Sequence, residues 1–203
     1  MEIQDNKTQI PLSHYRALFA QAMPEALAVR SGAVYDPDAG TFAMRLLGAR
    51  LLVAWPDGTI SFPDGDRELS EYASILVLRY LLEGRCAEST GKFLAYQEMP
   101  WGDVYFANFR GRCILRLAYG FGQDLERFSR ACTALGGVPV PMGDRAFELP
   151  FLENLRIRLI LWEGDEEFPP SAQILFSDNF PLAFTAEDMA VVGDILISAL
   201  KQN

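Results

Sequence analysis

Four carboxylates fall within five residues, Glu163, Asp165, Glu166 and Glu167, inside the tract Trp162-Glu-Gly-Asp-Glu-Glu-Phe-Pro-Pro-Ser171. Like charges at that spacing repel, which is tolerable in water but not against a folded body unless something neutralises them. If Trp162 and Phe168 draw the segment inward, a cation, an arginine, backbone amides or a proton must do so. In an extended strand Glu163, Asp165 and Glu167 share one face while Glu166 points the other way, and a turn at Gly164 would break that parity. Oxygen donors of this kind suit magnesium, manganese or calcium, with Asp178 as a further ligand, and they equally suit a basic ligand. The plainer alternative is a solvated acidic hairpin stiffened by Pro169-Pro170, since the spacing is not that of an EF-hand.

Two other concentrations stand out. Glu98-Met-Pro-Trp101-Gly-Asp-Val-Tyr105 joins carboxylates and aromatics on a loop that enters a helix. A helix start near Gly102 would offer backbone amides to an anion, although Asp103 is also an ordinary helix cap and aromatic rings usually pack in a core. Arg110, Arg112 and Arg116 cluster, the last two one turn apart. They suit a planar fork around phosphate or carboxylate, or pairing with some of the many acidic side chains.

Several chemistries lack their residues. The single histidine, His14, has no strand-turn-helix nucleophile elbow to serve, and one imidazole cannot supply histidine-ligated zinc or iron. Gly120-Phe-Gly122 lacks the third glycine and the preceding strand of a phosphate-binding loop. Cys86, Cys113 and Cys132 have neither paired spacing nor a neighbouring base, so they read as incidental thiols rather than nucleophiles or cluster ligands.

The chain of 203 residues is 50% hydrophobic and 22% charged, too apolar for intrinsic disorder. It is long enough to bury roughly 70% of its surface. A net charge of −9 argues against nucleic acid as a partner. The polar start Met1 to Ile10 lacks a signal-peptide core, and the apolar run Ile75 to Leu78 ends at Arg79, far short of a membrane span. The expected setting is cytoplasmic, without a membrane partner.

Periodicity supplies the elements that must position these residues. It predicts a helix over Leu12–Val29 that Pro24 kinks or splits, then a meander of Thr41–Leu47, Arg50–Trp55 and Thr59–Phe62. A helix over 67–83 is apolar on every side and stops at Gly84. A short strand over Lys92–Gln97 precedes a helix over Asp103–Tyr119, with Tyr105, Phe109, Cys113 and Leu117 at spacing four and Gly120 and Gly122 as breakers. A capped helix over Asp124–Leu135 ends at Gly136-Gly137. Strands over Ala146–Phe151, Arg156–Trp162 and Ala172–Phe176 lead to a helix over Thr185–Lys201 capped by Thr185. The reading is a single α+β domain over 1–203, with antiparallel sheet structure in two strand groups packed against about five helices. Whether the groups make one sheet or two is open at this level.

Taken together, Tyr80-Leu-Leu82 with Gly91, Glu98 with Gly102 and Tyr105, Gly136-Gly137 with Gly143-Asp144, and Trp162 to Ser171 with Leu175-Phe176 resemble a family. It is an uncharacterised prokaryotic family of unknown function, DUF3786, found mainly in anaerobes, and the resemblance covers most of the chain. It implies no established activity. Some members carry an attached cysteine-rich iron–sulfur segment, which implies a link to anaerobic redox or corrinoid metabolism; the 203 residues contain no such segment. Tyr96-Gln97-Glu98 stands where the family has Phe-Arg-Glu, so no role carried by that arginine transfers.

The leading expectation is therefore an accessory domain binding a small ligand or a partner protein. Glu98, Trp101 and Tyr105 would meet Trp162, Glu163, Asp165, Glu166 and Glu167 at one concave site. One alternative is a divalent-cation-dependent enzyme using Glu163, Asp165, Glu167 and Asp178. Another is a self-associating structural protein using the face Met189, Val192, Ile195, Leu196 and Leu200. Residue types alone assign no cofactor, reaction or oligomeric state.

Overall fold

Proline at position 24 has no backbone N–H to continue a helix, and the chain divides there: α1 runs Leu12–Gln21 and α2 Pro24–Ser31, with Pro24 at the first helical position. The computed structural model describes residues 11–65 and 68–203. They form two compact units, residues up to 44 with 50–85, and 45–49 with 86–203.

Apart from residues 45, 46 and 49, which belong to the second unit, β1 (Val34–Asp36), β2 (Thr41–Leu46), β3 (Ala49–Ala54) and β4 (Ile60–Ser61) lie in the first unit and form an antiparallel sheet in chain order. The meander read from sequence is present. It gains β1, whose three residues are too short to show a period. Helix α3 (Glu71–Glu83) is capped by Ser70, whose hydroxyl accepts from Ala73 N; the predicted start at residue 67 lies outside the described residues. Ile75 to Leu81 are all buried, as an all-round apolar helix requires. Gly84 ends α3 with extended backbone, not in a left-handed turn; a Cβ there would sit 2.6 Å from Tyr80 O, so the glycine is required for space. Arg30 donates to the carbonyls of Leu81 and Leu82, and Tyr80 Oη donates to Ser31 O at 2.8 Å, tying α2 to the end of α3.

The second unit contains a separate five-stranded antiparallel sheet, so the two strand groups make two sheets. Its strands are β5 (Phe93–Ala95), β6 (Val138–Pro139), β7 (Arg145–Pro150), β8 (Arg156–Trp162) and β9 (Ser171–Ser177), in the order β5-β9-β8-β7-β6. In the sheet's middle Trp162 lies opposite Ser171 and Arg145 opposite Leu161. Across β7 and β8, Glu148 faces Arg158 directly and pairs with it at 2.9 Å, under the ring of Phe93.

Between β5 and β6 run α4 (Gly102–Phe109), a π-helical turn over Arg110–Ile114, α5 (Leu115–Phe121) and α6 (Leu125–Ala134). The sequence predicts an uninterrupted α-helix ending at Tyr119, whereas the structure carries Gly120 inside α5 and inserts the π turn. Residues spaced by four drift about 40° per step around an α-helix, and a wider turn corrects that drift. Phe109, Cys113 and Leu117 accordingly all stay buried. Asp124 caps α6 by accepting from Arg127 N at 2.8 Å, and Gly136 takes a positive φ of 77° just beyond it. α7 (Phe180–Ala183) and α8 (Ala186–Gln202) close the unit, with Thr185 and Asp188 forming a reciprocal cap.

Of the apolar face expected for self-association, Met189, Val192, Leu196 and Leu200 of α8 are buried and Ile195 is half-buried, so most of that face is spent on the core. Gly193 sits at its centre: a Cβ there would lie 2.5 Å from Cys113 Sγ. Backbone amides of residues 45–49 join this unit, with Leu47 N donating to Phe151 O at 2.8 Å and Arg45 N to the Glu153 side chain, Oε1, at 2.9 Å. Burial pushes the Glu153 carboxyl up, against the Arg45 amide and the charges of Arg45 and Arg156.

Two outcomes follow. Gly193→Ala is expected to cost about 1–3 kcal/mol in urea unfolding, and adding Cys113→Ala should recover part of that loss; no loss would refute the close packing. A carboxyl raised in the folded state favours folding when protonated and disfavours it once ionised. Glu153→Gln, which keeps an acceptor for Arg45 N, should therefore raise Tm at pH 7, with the gain shrinking as pH falls toward 4. A lower Tm at pH 7 would contradict this.

Candidate functional site

Register places the acidic tract. Trp162 and Ser171 are the last opposed pair of β8 and β9, so residues 163–170 form the connection between them. Asp165 folds this connection: its Oδ1 accepts from Glu167 N at 2.8 Å and Phe168 N at 2.7 Å, while Asp165 N donates to Phe168 O at 2.9 Å. Two outside contacts pin it. Glu163 N donates to Asp144 Oδ2 at 2.8 Å, and Gly164 N donates to Gly122 O at the corner between α5 and α6 at 3.1 Å. Added Cβ atoms at Gly122 and Gly164 would lie 2.3 Å and 2.6 Å from the Pro170 ring. The turn that breaks the strand parity is built on Asp165, one residue after the expected Gly164. Glycine and proline contacts hold the segment, not the burial of its aromatics.

The side chains point outward. Glu163, Asp165, Glu166 and Glu167 are exposed, as are Trp162 (38%) and Phe168 (67%). Among the described residues no arginine, lysine or histidine pairs with these four carboxylates. Asp178 does not join them. It follows Ser177 at the far end of β9, about 20 Å along a seven-residue strand. There it accepts from Ser89 Oγ at 2.6 Å, from Thr90 N at 3.1 Å and from the Thr90 hydroxyl, bonds that hold its carboxyl below the usual range. Among the described residues no group of three or more His, Cys, Asp or Glu side chains is arranged to hold a metal ion.

The aromatic-acidic loop lies elsewhere. Glu98 Oε2 accepts from Ala95 N at 2.6 Å, closing the turn Tyr96–Glu98. Trp101 adopts a left-handed backbone (φ 66°) and is 76% exposed, and Tyr105 is 42% exposed. From Gly102 the helical run continues to Phe121, some 20 residues and about 30 Å, before reaching the corner that touches Gly164. Glu98, Trp101 and Tyr105 are thus separated from Trp162 and Glu163 to Glu167 by the length of a helix, and the expected shared concave site is not assembled.

The arginine cluster finds its anion inside the chain: Arg112 and Arg116 both bind the carboxylate of Asp194 on α8. Arg110 is exposed. Burial, then the charge of Asp194, pushes the Cys113 thiol up to about 12, and burial raises Cys132 further. Neither is a nucleophile near neutral pH. Residue spacing gave no sign that Asp144 and Gly122 hold the acidic connection from distant segments; Gly143-Asp144 entered only through the family resemblance.

The fold and site define an α+β protein with a clasped acidic β-hairpin. The family described as "Domain of unknown function (DUF3786)" matches residues 23–199, and the chain belongs to that family. No curated protein and no solved structure matches it. Among the described residues no helix is long and apolar enough to cross a membrane.

The burial pattern sets a reactivity order. A thiol reagent at pH 8 should modify exposed Cys86 rapidly and reach Cys113 and Cys132 only when the chain unfolds; rapid titration of three thiols in the native protein would contradict the burial.

Proposed function

We propose that the protein is a partner-binding accessory domain whose contact element is the connection Trp162–Phe168, and that the partner supplies a basic segment with apolar side chains. One observation carries this reading: the connection is pinned by Asp144, Gly122 and Pro170, yet presents an exposed tryptophan, an exposed phenylalanine and uncompensated carboxylates to solvent. A loop already held in shape loses little entropy on binding. Tryptophan is a frequent anchor at interfaces, and clustered charge steers an oppositely charged partner. The carboxylates lack the converging geometry a cation site needs, which favours a partner over a metal. We place the protein in the cytoplasm, where buried, unreactive thiols such as Cys113 and Cys132 are ordinary.

The test uses the isotopically labelled chain and a synthetic peptide of alternating lysine and phenylalanine, with a glutamate-for-lysine peptide as control. The basic peptide should shift the Trp162 indole and the amides of 163–168, and the acidic one should not. Glu163→Gln, Glu166→Gln and Glu167→Gln combined should weaken binding about tenfold while changing Tm by no more than about 2 °C. Asp165→Ala, which unfolds the turn, should weaken it as well. Shifts spread over the whole surface, or none at all, would overturn the reading.

A further inference from the structure

Helix α4 is apolar in sequence and exposed in structure. Of Gly102-Asp-Val-Tyr-Phe-Ala-Asn-Phe109 only Gly102 and Phe109 are buried, and Val104 is 69% exposed. At 100° per residue, Asp103, Val104 and Ala107 of α4 lie within about 60° of one line, on the side opposite Phe109, and Arg110 and Gly111, which open the wider π turn, follow on the same side. All five are exposed. A Cβ built on Gly111 would meet nothing within 4 Å, so neither packing nor φ demands a glycine in the isolated chain. Asp103 and Arg110 stand two turns apart on the same flank, and among the described residues neither has an ion-pair partner.

We infer that this face is a self-association surface on which a second copy of the chain lays its own α4 antiparallel, about a two-fold axis near Ala107. The register follows from symmetry. Such an axis reverses position along the helix and preserves the flank, so each residue meets one on its own flank at about the same distance from Ala107 in the other direction, three residues on one side against four on the other. Asp103 and Arg110 share one flank, and each then faces the opposite charge on the second copy, giving two equivalent pairs. Val104 and Gly111 share the other flank, and the Val104 side chain fills the space that the second copy's Gly111 leaves open. The charge pattern is therefore complementary to itself in one orientation. A parallel arrangement would set Asp103 against Asp103 and Arg110 against Arg110.

Sedimentation velocity of the full chain, from about 1 to 500 µM, decides the matter. The expected result is a concentration-dependent monomer–dimer equilibrium. Gly111→Arg, which has open space in the monomer, should weaken dimerisation at least tenfold with Tm unchanged. Asp103→Arg and Arg110→Asp should each weaken it, and the double exchange Asp103→Arg with Arg110→Asp should restore it. A monomer throughout that range, a dimer indifferent to Gly111→Arg, or a double exchange that fails to restore association would each overturn the inference. Because none of these residues belongs to the Trp162–Phe168 connection, the outcome is independent of partner binding there.

Discussion

The helical run from Gly102 to Phe121 lies against its neighbours at distances that admit no side chain. At its start a Cβ on Gly102 would fall 1.9 Å from Tyr96 O; midway, Gly193 of α8 leaves room for Cys113; just past its end, Gly122 leaves room for Pro170. Close backbone approach is short-ranged and unforgiving, because interiors are packed like crystals and cannot absorb an extra methylene cheaply. The aromatic core adds to it. Tyr96 stacks on Phe109 with centroids 3.9 Å apart, Phe176 packs beside both, and Tyr96 Oη donates to Ala186 O at 2.7 Å. Desolvation in that setting raises the Tyr96 phenol and keeps it a neutral donor.

Much of the surface follows from this placement. With Phe109 and Cys113 turned toward β9 and α8, no element among the described residues covers the opposite flank of α4. With Gly122 pressed on Pro170, the turn between β8 and β9 is held in one position, and its charged side chains are turned to water. The four carboxylates therefore divide in role. Asp165 is consumed by the turn it forms, while Glu163, Glu166 and Glu167 remain outside. The tract that carries the family resemblance, together with Gly143-Asp144, is the set of residues that clasps this turn, so much of its residue pattern answers to shape.

Legibility in sequence tracked how local each determinant is. Caps at Asp124 and Thr185, the break at Pro24 and the strand runs of β7 to β9 depend on neighbours a few residues away, and the elements appear where those signals stand. The π turn was hidden because spacing four fits both an α-helix that drifts and one that is corrected. The meeting of two acidic-aromatic loops was an inference from similar composition, and composition carries no distance. A helix of about 30 Å separates the loops.

By itself the sequence determined the α+β class, the caps and breaks of its helices, the antiparallel strand groups and the absence of familiar catalytic motifs, because these rest on residue type and short-range periodicity. Only the tertiary structure decided that the strands form two sheets, that Asp194 answers Arg112 and Arg116, that Asp178 belongs to Ser89 and Thr90, and that α8 is spent on the core while α4 is left bare. Those outcomes depend on which distant segments come within a few ångströms of one another, and that is settled by packing the whole chain at once.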